Sequence, residues 1–198
     1  MSISAIVLAA GKSSRMGRQK LLLPYGGVTV VRHIVRVLRD ALIPDIVIVT
    51  GYDEQGVRAA LDGEDVRWTH NPAYESGMLG SIQVGVRAAE EASGYLICLG
   101  DQPAITPALV KAMAERHAEK PSHIRVPTFD GRRGHPIMVP RRFREDVMSD
   151  RYADCGLRGL LTDFQTEVHE LAVDEPWVLR DMDYPEDYER ELQLRTPG

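Results

Sequence analysis

Cysteine is scarce in this chain: only Cys98 and Cys155 occur, 57 positions apart. Two thiols at that distance exclude a disulfide framework and a zinc ribbon, and they suit a reducing, cytoplasmic setting. Long apolar runs are missing as well. None approaches the ~18 residues of a membrane helix. The first residues also lack the charged start and apolar stretch of a secretory leader. Neither a membrane association nor export is therefore expected. No low-complexity tract and no repeat of 20–50 residues interrupts the chain. The motif G-x-G-x-x-G is absent, which counts against nicotinamide or flavin binding. At 198 residues the chain can bury well over half of its unfolded surface without a metal or disulfide staple. One domain spanning residues 1–198 is expected.

The most informative absence is of acidic residues. Residues 1–39 contain no Asp or Glu, but seven bases: Lys12, Arg15, Arg18, Lys20, Arg32, Arg36 and Arg39. Beyond them stand 17 bases against 29 acids, a balance of −12 within an overall −5. A negative chain argues against general nucleic-acid binding. A basic segment on an acidic body points instead to a local anion site. Arg32, Arg36 and Arg39 fall on one side of a helical pattern and read as its solvated face. Lys12, Arg15, Arg18 and Lys20 lie in a loop.

Hydrophobic patterning supplies the fold class. Ile3–Leu8, Ile46–Val49, Val66–Thr69 and Tyr95–Leu99 read as strands, the first two apolar on both faces as in a buried parallel sheet. Between and after them, Thr29–Leu42, Asp53–Leu61, Leu79–Ala92 and Pro107–Glu119 carry helical spacing. Asp53 and Thr106 are candidate N-caps. Strands at Ile124–Phe129, Pro136–Val139 and Val168–Val173 follow, with helices at Arg141–Met148, Leu157–Phe164 and Pro185–Leu194. Alternation of this kind predicts an α/β protein with a mostly parallel sheet covered by helices on both faces. Ligands of such sheets bind beyond the C-terminal strand ends. Ala9–Lys20, Asn71–Ser81 and Gly100–Pro103 therefore share one rim.

Those rim segments hold the chemistry. The stretch Gly11–Lys20 follows a buried strand and is bordered by Gly11 and Gly17, so its amides can face an anion. Arg15 can fork two phosphate oxygens and Lys20 can supply a point charge. The spacing is not that of a P-loop, and a solvated basic turn has the same composition. Asp101, delivered to the rim by an apolar strand, suits Mg²⁺, which takes one or two carboxylates plus substrate phosphates. It also suits a plain turn or cap. Asn71, Gly77 and Ser81 can read the edge of a base or simply pack. His135 is either a substrate contact or a structural loop histidine. Asp181 and Asp183, two apart in an acid-rich tail, face one way if extended and offer a partner for Asp101. As a solvated run or a helix cap they need no ligand.

Together these blocks resemble the MobA-like nucleotidyltransferases, and within them the molybdenum cofactor cytidylyltransferases. The likeness covers essentially the whole chain. It rests on Leu8-Ala-Ala-Gly-Lys-Ser-Ser-Arg-Met-Gly with Lys20-Leu-Leu-Leu-Pro24, and on Asn71-Pro with Gly77, Met78 and Ser81. Leu99-Gly-Asp-Gln-Pro103, Arg133-Gly-His-Pro136 and Asp181-Met-Asp-Tyr-Pro-Glu-Asp187 add to it. Gly26-Gly27-Val28-Thr29 departs from the Gly-x-Pro-Leu stretch common at that point. The resemblance implies a Rossmann-like three-layer sandwich of the nucleotide-diphospho-sugar transferase type, and Mg²⁺ as cofactor. It implies CTP and a molybdopterin-type cofactor as substrates, and a recipient enzyme like xanthine dehydrogenase. Ala9, Ala10, Gly11, Lys12, Ser13, Arg15, Lys20, Asn71, Gly77 and Ser81 would then meet the nucleotide. Lys20, Arg15 and Asp101 would carry the transfer, Asp101 and Asp183 would hold the metal, and Gln102 and His135 would meet the acceptor. Guanylyl-transferring relatives read Leu-Ala-Gly-Gly where this chain has Leu8-Ala9-Ala10-Gly11, so Ala10 favours cytosine. Sugar-phosphate nucleotidyl transfer on the same fold and a non-catalytic cofactor carrier are the alternatives.

Overall fold

Strands that are apolar on both faces need cover on both sides. The computed structural model, which describes residues 2–174 and 176–195, supplies it with one sheet between two helical layers. The elements are β1 (Ile3–Ala9), a hairpin of β2 (Pro24–Tyr25) and β3 (Val28–Thr29), α1 (Val30–Asp40), β4 (Asp45–Thr50), α2 (Glu54–Ala60), β5 (Arg67–His70) and α3 (Met78–Ala88). Then come β6 (Gly94–Leu99), α4 (Pro107–Glu119), β7 (Ile124–Phe129), β8 (Arg132–Arg133), β9 (Ile137–Pro140), α5 (Arg144–Met148), α6 (Leu157–Asp163), β10 (Val168–Ala172) and α7 (Pro185–Arg195). Across the sheet the order is β10-β7-β9-β6-β1-β4-β5, with β8 paired to β7. β1 runs parallel to β4 and β6, β4 to β5, and β10 to β7. β9 runs antiparallel to both β6 and β7. No helix among the described residues is long and apolar enough to cross a membrane.

The two-residue period of β1 splits the core. Ala5, Val7 and Ala9 join one cluster with Val30, Ile34 and Leu38 of α1 and Val110 and Met113 of α4. Ile6 joins the other, with Leu79, Ile82 and Val86 of α3 and Val147 and Leu160 beyond. Helix starts follow the cap chemistry. Thr29 accepts from the Arg32 amide at 3.4 Å, Asp53 from Gly56 at 3.0 Å, and Thr106 from Leu109 at 3.3 Å ahead of Pro107.

Several expectations are corrected. The stripe of α1 ends before Leu42, which has φ 61° and is 80% exposed. The helix expected over 79–92 begins at Met78 and stops at Ala88, and Arg141–Met148 divides into a 3₁₀ turn, Arg141–Phe143, and α5. Arg32, Arg36 and Arg39 are not merely a solvated face. Arg32 donates to the carbonyls of Ala60 (2.8 Å) and Asp62 (2.6 Å). Arg32 and Arg36 approach Glu64, and Arg39 approaches Asp65. These three guanidiniums clasp the turn after α2, a contact across about 30 residues with no local signal in the sequence.

α3 crosses the sheet where Gly85 lies over β1 and β4. A Cβ there would meet Ile6 Cγ2 at 2.3 Å and Val49 Cγ2 at 3.0 Å, both branched core atoms. Gly85→Ala should therefore destabilise the fold by about 1–3 kcal/mol through overpacking, against the ~1 kcal/mol that Ala normally adds to a helix. Denaturant unfolding should show a lower midpoint at unchanged slope; an unchanged or higher midpoint would refute this account of the crossing.

Candidate active site

The site forms where β1, β4 and β6 end together, with Ala9 opposite Thr50 and Leu8 opposite Leu99. Two glycines let the emerging loops close on β1. The Gly100 amide donates to Leu8 O at 3.1 Å, and a Cβ on Gly100 would lie 2.5 Å from that oxygen. The Tyr52 amide donates to Ala10 O at 3.1 Å, and a Cβ on Gly51 would lie 2.6 Å from it.

The basic loop is held by its own polar side chains. Ser13 has φ 54° and ψ 35° before a 3₁₀ turn, Ser14–Met16, whose Met16 is buried as an anchor. Ser13 Oγ donates to Gln19 Oε1 (2.7 Å) and accepts from the Lys20 amide (3.2 Å), while Gln19 Nε2 donates to Gly11 O (3.1 Å). Gln19 is thus a working part of the loop that charge and glycine patterning do not reveal. Its amide spans eight residues of chain and leaves no periodic trace.

The loop delivers Lys20 to two carboxylates. Its Nζ contacts Asp101 Oδ2 and lies 3.1 Å from Asp183 Oδ1. Asp183 Oδ2 accepts from Arg15 at 2.6 Å. Lys20 and Asp101 are 14% and 17% exposed, Asp183 32% and Arg15 60%, so the inner pair is shielded and the outer ion is not. Burial alone would depress the Lys20 ammonium, but Asp101 and Asp183 outweigh it and hold its pKa above the usual lysine value. Asp183 arrives on segment 176–184, pinned along its length. The His135 amide donates to Val178 O (3.0 Å), the amide of buried Met182 donates to Asp101 O (3.2 Å), and Asp187 of α7 accepts from the amides of Asp183 and Tyr184. The cap of α7 is therefore Asp187 reaching back, and the Asp183 side chain is left for the site.

A cavity of about 350 Å³ collects Ala10, Gly11, Ser13, Arg15, Lys20, Gly77, Ser81, Asp101 and Asp183. Tyr74, Met78 and Asp181 line it too. Four expected contacts lie elsewhere. Ala9 is packed in the core. Lys12 pairs with Glu75, with its ammonium about 6 Å from the rings of Tyr52 and Tyr74. Asn71 is buried with its amide committed to scaffolding: Nδ2 donates to Ser81 Oγ at 2.9 Å and Oδ1 accepts from Ala73 at 3.0 Å. It holds Ser81, whose hydroxyl proton is not used in that bond. Gln102 is buried and lines neither this cavity nor the next.

Gly77 and Met78 also line a second cavity of about 930 Å³, with Arg132, Arg133, His135, Cys155 and Arg158 on its walls. Arg133 is tied to Glu170 at 2.8 Å. Burial pushes the His135 imidazole down to about 4 against a weak opposing pull from Asp181, so the ring is neutral near pH 7. Among the described residues no three His, Cys, Asp or Glu side chains gather as a metal centre. The carboxylates that converge on Lys20 are a donor pair suited to a cation that takes its remaining ligands from phosphate and water.

Strand ends, a basic loop and a carboxylate pair at one cleft define an α/β nucleotidyltransferase. The chain belongs to the MobA-like NTP transferase domain family, whose model matches residues 5–170. It is 32% identical to the nicotine blue oxidoreductase of Paenarthrobacter nicotinovorans over 80% of this chain and 81% of that protein. It is 31% identical to the molybdenum cofactor cytidylyltransferase of Escherichia coli over 71% of each. It spans only 25–29% of the length of the bifunctional GlmU proteins it also matches, from Geotalea uraniireducens and Symbiobacterium thermophilum. Among solved structures, a nucleotidyl transferase from Methanothermobacter superposes with TM-score 0.83 at 29% identity, over 99% of both chains.

His135 provides a check on this geometry. Its ring titrates at about 4 when folded and near 6.5 when unfolded, so the unfolded chain takes the proton first. Stability should fall by about 3 kcal/mol as pH drops from 6.5 to 4, with no loss from this group above 6.5. In denaturant unfolding at pH 7.5 and 4.5, His135→Asn should lose clearly less stability than the parent. Equal losses would place the ring in solvent.

Proposed function

We propose that the protein transfers a cytidylyl group from CTP to the phosphate monoester of a molybdopterin-type cofactor and releases pyrophosphate. The observation that carries this reading is the divided cleft. A small cavity holds Lys20, Arg15 and a carboxylate pair, and a larger one meets it at Gly77 and Met78. The first suits a nucleoside triphosphate and the second a bulky acceptor. The cytidylyltransferase among the relatives supports the choice of substrates, as does Ala10, which lines the smaller cavity where guanylyl-transferring relatives carry glycine.

An acceptor phosphate oxygen, already anionic near neutral pH, attacks the α-phosphorus. The bond from that phosphorus to the bridging oxygen breaks, and pyrophosphate leaves. No side-chain base is required, so the protein's contribution is alignment and charge stabilisation. Lys20 and Arg15 meet triphosphate oxygens. The Ser81 hydroxyl, oriented by Asn71, is available to the base or ribose. Neutral His135 is a hydrogen-bonding group on the acceptor side. Asp101 and Asp183 are the residues that would hold Mg²⁺. When bound, that ion would neutralise charge on the reacting phosphates. A recipient enzyme resembling xanthine dehydrogenase and a cytoplasmic setting belong to the same proposal.

Pyrophosphate release tests it, with CTP, GTP or ATP each offered alongside Mg²⁺ and molybdenum cofactor. CTP should be consumed preferentially, and only with acceptor present. A preference for GTP would overturn the cytidylyl assignment, and no release with any nucleotide would overturn transfer itself. Lys20→Ala should lower turnover at least 100-fold in a protein that still unfolds cooperatively, because removing one donor to transition-state charge is worth about 3 kcal/mol.

A further inference from the structure

The Lys20 ammonium occupies the place where the two carboxylates point. It bridges Asp101 Oδ2 and Asp183 Oδ1, and Arg15 takes the other oxygen of Asp183. The four groups balance two positive against two negative, with Asp181 lining the same cavity. Water does little to loosen the inner contacts, since Lys20 and Asp101 are both largely shielded. A divalent cation that used the same oxygens would meet the ammonium at close range, and like charges at such distances repel strongly. It would have to break two charge-assisted bonds to Lys20 and offer the ammonium nothing in return. A triphosphate changes this, because its oxygens give Lys20 and Arg15 new partners while adding ligands for the cation. With two carboxylates from the protein, the cation depends on those added oxygens.

We propose that Lys20 is an internal counter-ion that closes the Asp101–Asp183 pair to a free divalent cation, so that the cation enters only together with the triphosphate that draws the ammonium away. The proposal rests on the site being one for a nucleoside triphosphate and a cation, but not on cytosine or on the acceptor. Lys20 therefore has two tasks on the same atom: it guards the carboxylates in the free protein and meets the phosphates in the loaded one. The rest of the loop need not unfold for the exchange, because the Ser13–Gln19–Gly11 hydrogen bonds do not involve the ammonium.

Manganese is the probe, since free Mn²⁺ is counted directly by its electron paramagnetic resonance signal. Without nucleotide, Lys20→Met should bind Mn²⁺ at least tenfold more tightly than the parent protein, and Asp101→Asn placed in the same variant should abolish the gain. Adding CTP should tighten binding in the parent. A Lys20→Met protein that binds Mn²⁺ no better than the parent would overturn the proposal. Should Lys20→Met not fold, the parent itself decides through the ¹⁵N resonance of the Lys20 ammonium, assigned with Lys20→Arg. Millimolar Mg²⁺ alone should leave that resonance in place, and Mg²⁺ with CTP should move it; displacement by Mg²⁺ alone overturns the proposal. Neither measurement uses acceptor or turnover. If CTP proves the wrong nucleotide, the metal-alone results still stand, whereas a failure of the metal-alone results leaves cytidylyl transfer intact.

Discussion

One ammonium ties the cleft together. Lys20 joins three segments distant in sequence: the loop after β1, the turn after β6 that carries Asp101, and segment 176–184 that carries Asp183. Each also has its own backbone anchors, and segment 176–184 is tied to the Asp101 turn by the Met182 amide. The loop is braced by Ser13 and Gln19, the Asp101 turn is seated against β1 by the Gly100 amide, and segment 176–184 is hung from Val178 and Asp187. Preorganisation of that kind gives a charge cluster its value, because the groups need not be reordered when a charged ligand arrives.

The scaffold serves that junction in a direct way. A parallel arrangement of β6, β1, β4 and β5 brings their C-terminal ends to one edge, and the antiparallel β9 turns the chain so that Gly134 and His135 return to the same edge. There a Cβ on Gly134 would stand 2.2 Å from Val178 O, so the residue before His135 must be small for segment 176–184 to pass. His135 and the segment that carries Asp183 are thus positioned by one backbone crossing.

Much of this was legible in the sequence, for reasons that differ by element. β1, α1, β6 and α4 announce themselves because apolar period and cap chemistry are local, as at Thr29 and Thr106. Asp101 and the basic loop were legible because a buried strand must end in a polar turn at the rim. Other features were not, since their partners are remote. Nothing near Asn71 shows that its amide is committed to Ser81 and Ala73, and nothing near Arg32 shows the clasp on the turn after α2. The choice between Asp181 and Asp183 also depends on how segment 176–184 is hung, which alternation alone leaves open. Gln102, next to Asp101 in sequence, is buried, which its polar side chain and its place beside the rim do not announce.

The uneven charge of the chain has a structural consequence. The first 39 residues hold seven bases and no acid, so the loop cannot satisfy its cations from within. Had an acid stood a few residues from Lys20, a local partner would have been within its reach. Its actual partners lie 81 and 163 residues away. Contacts of that span exist only through the tertiary fold, whereas the loop's own hydrogen bonds are local. Arg15 follows the same rule, paired across 168 residues at a more exposed position. The separation of bases and acids along the sequence thus becomes, in the folded protein, a set of ion pairs that only the tertiary fold can bring together.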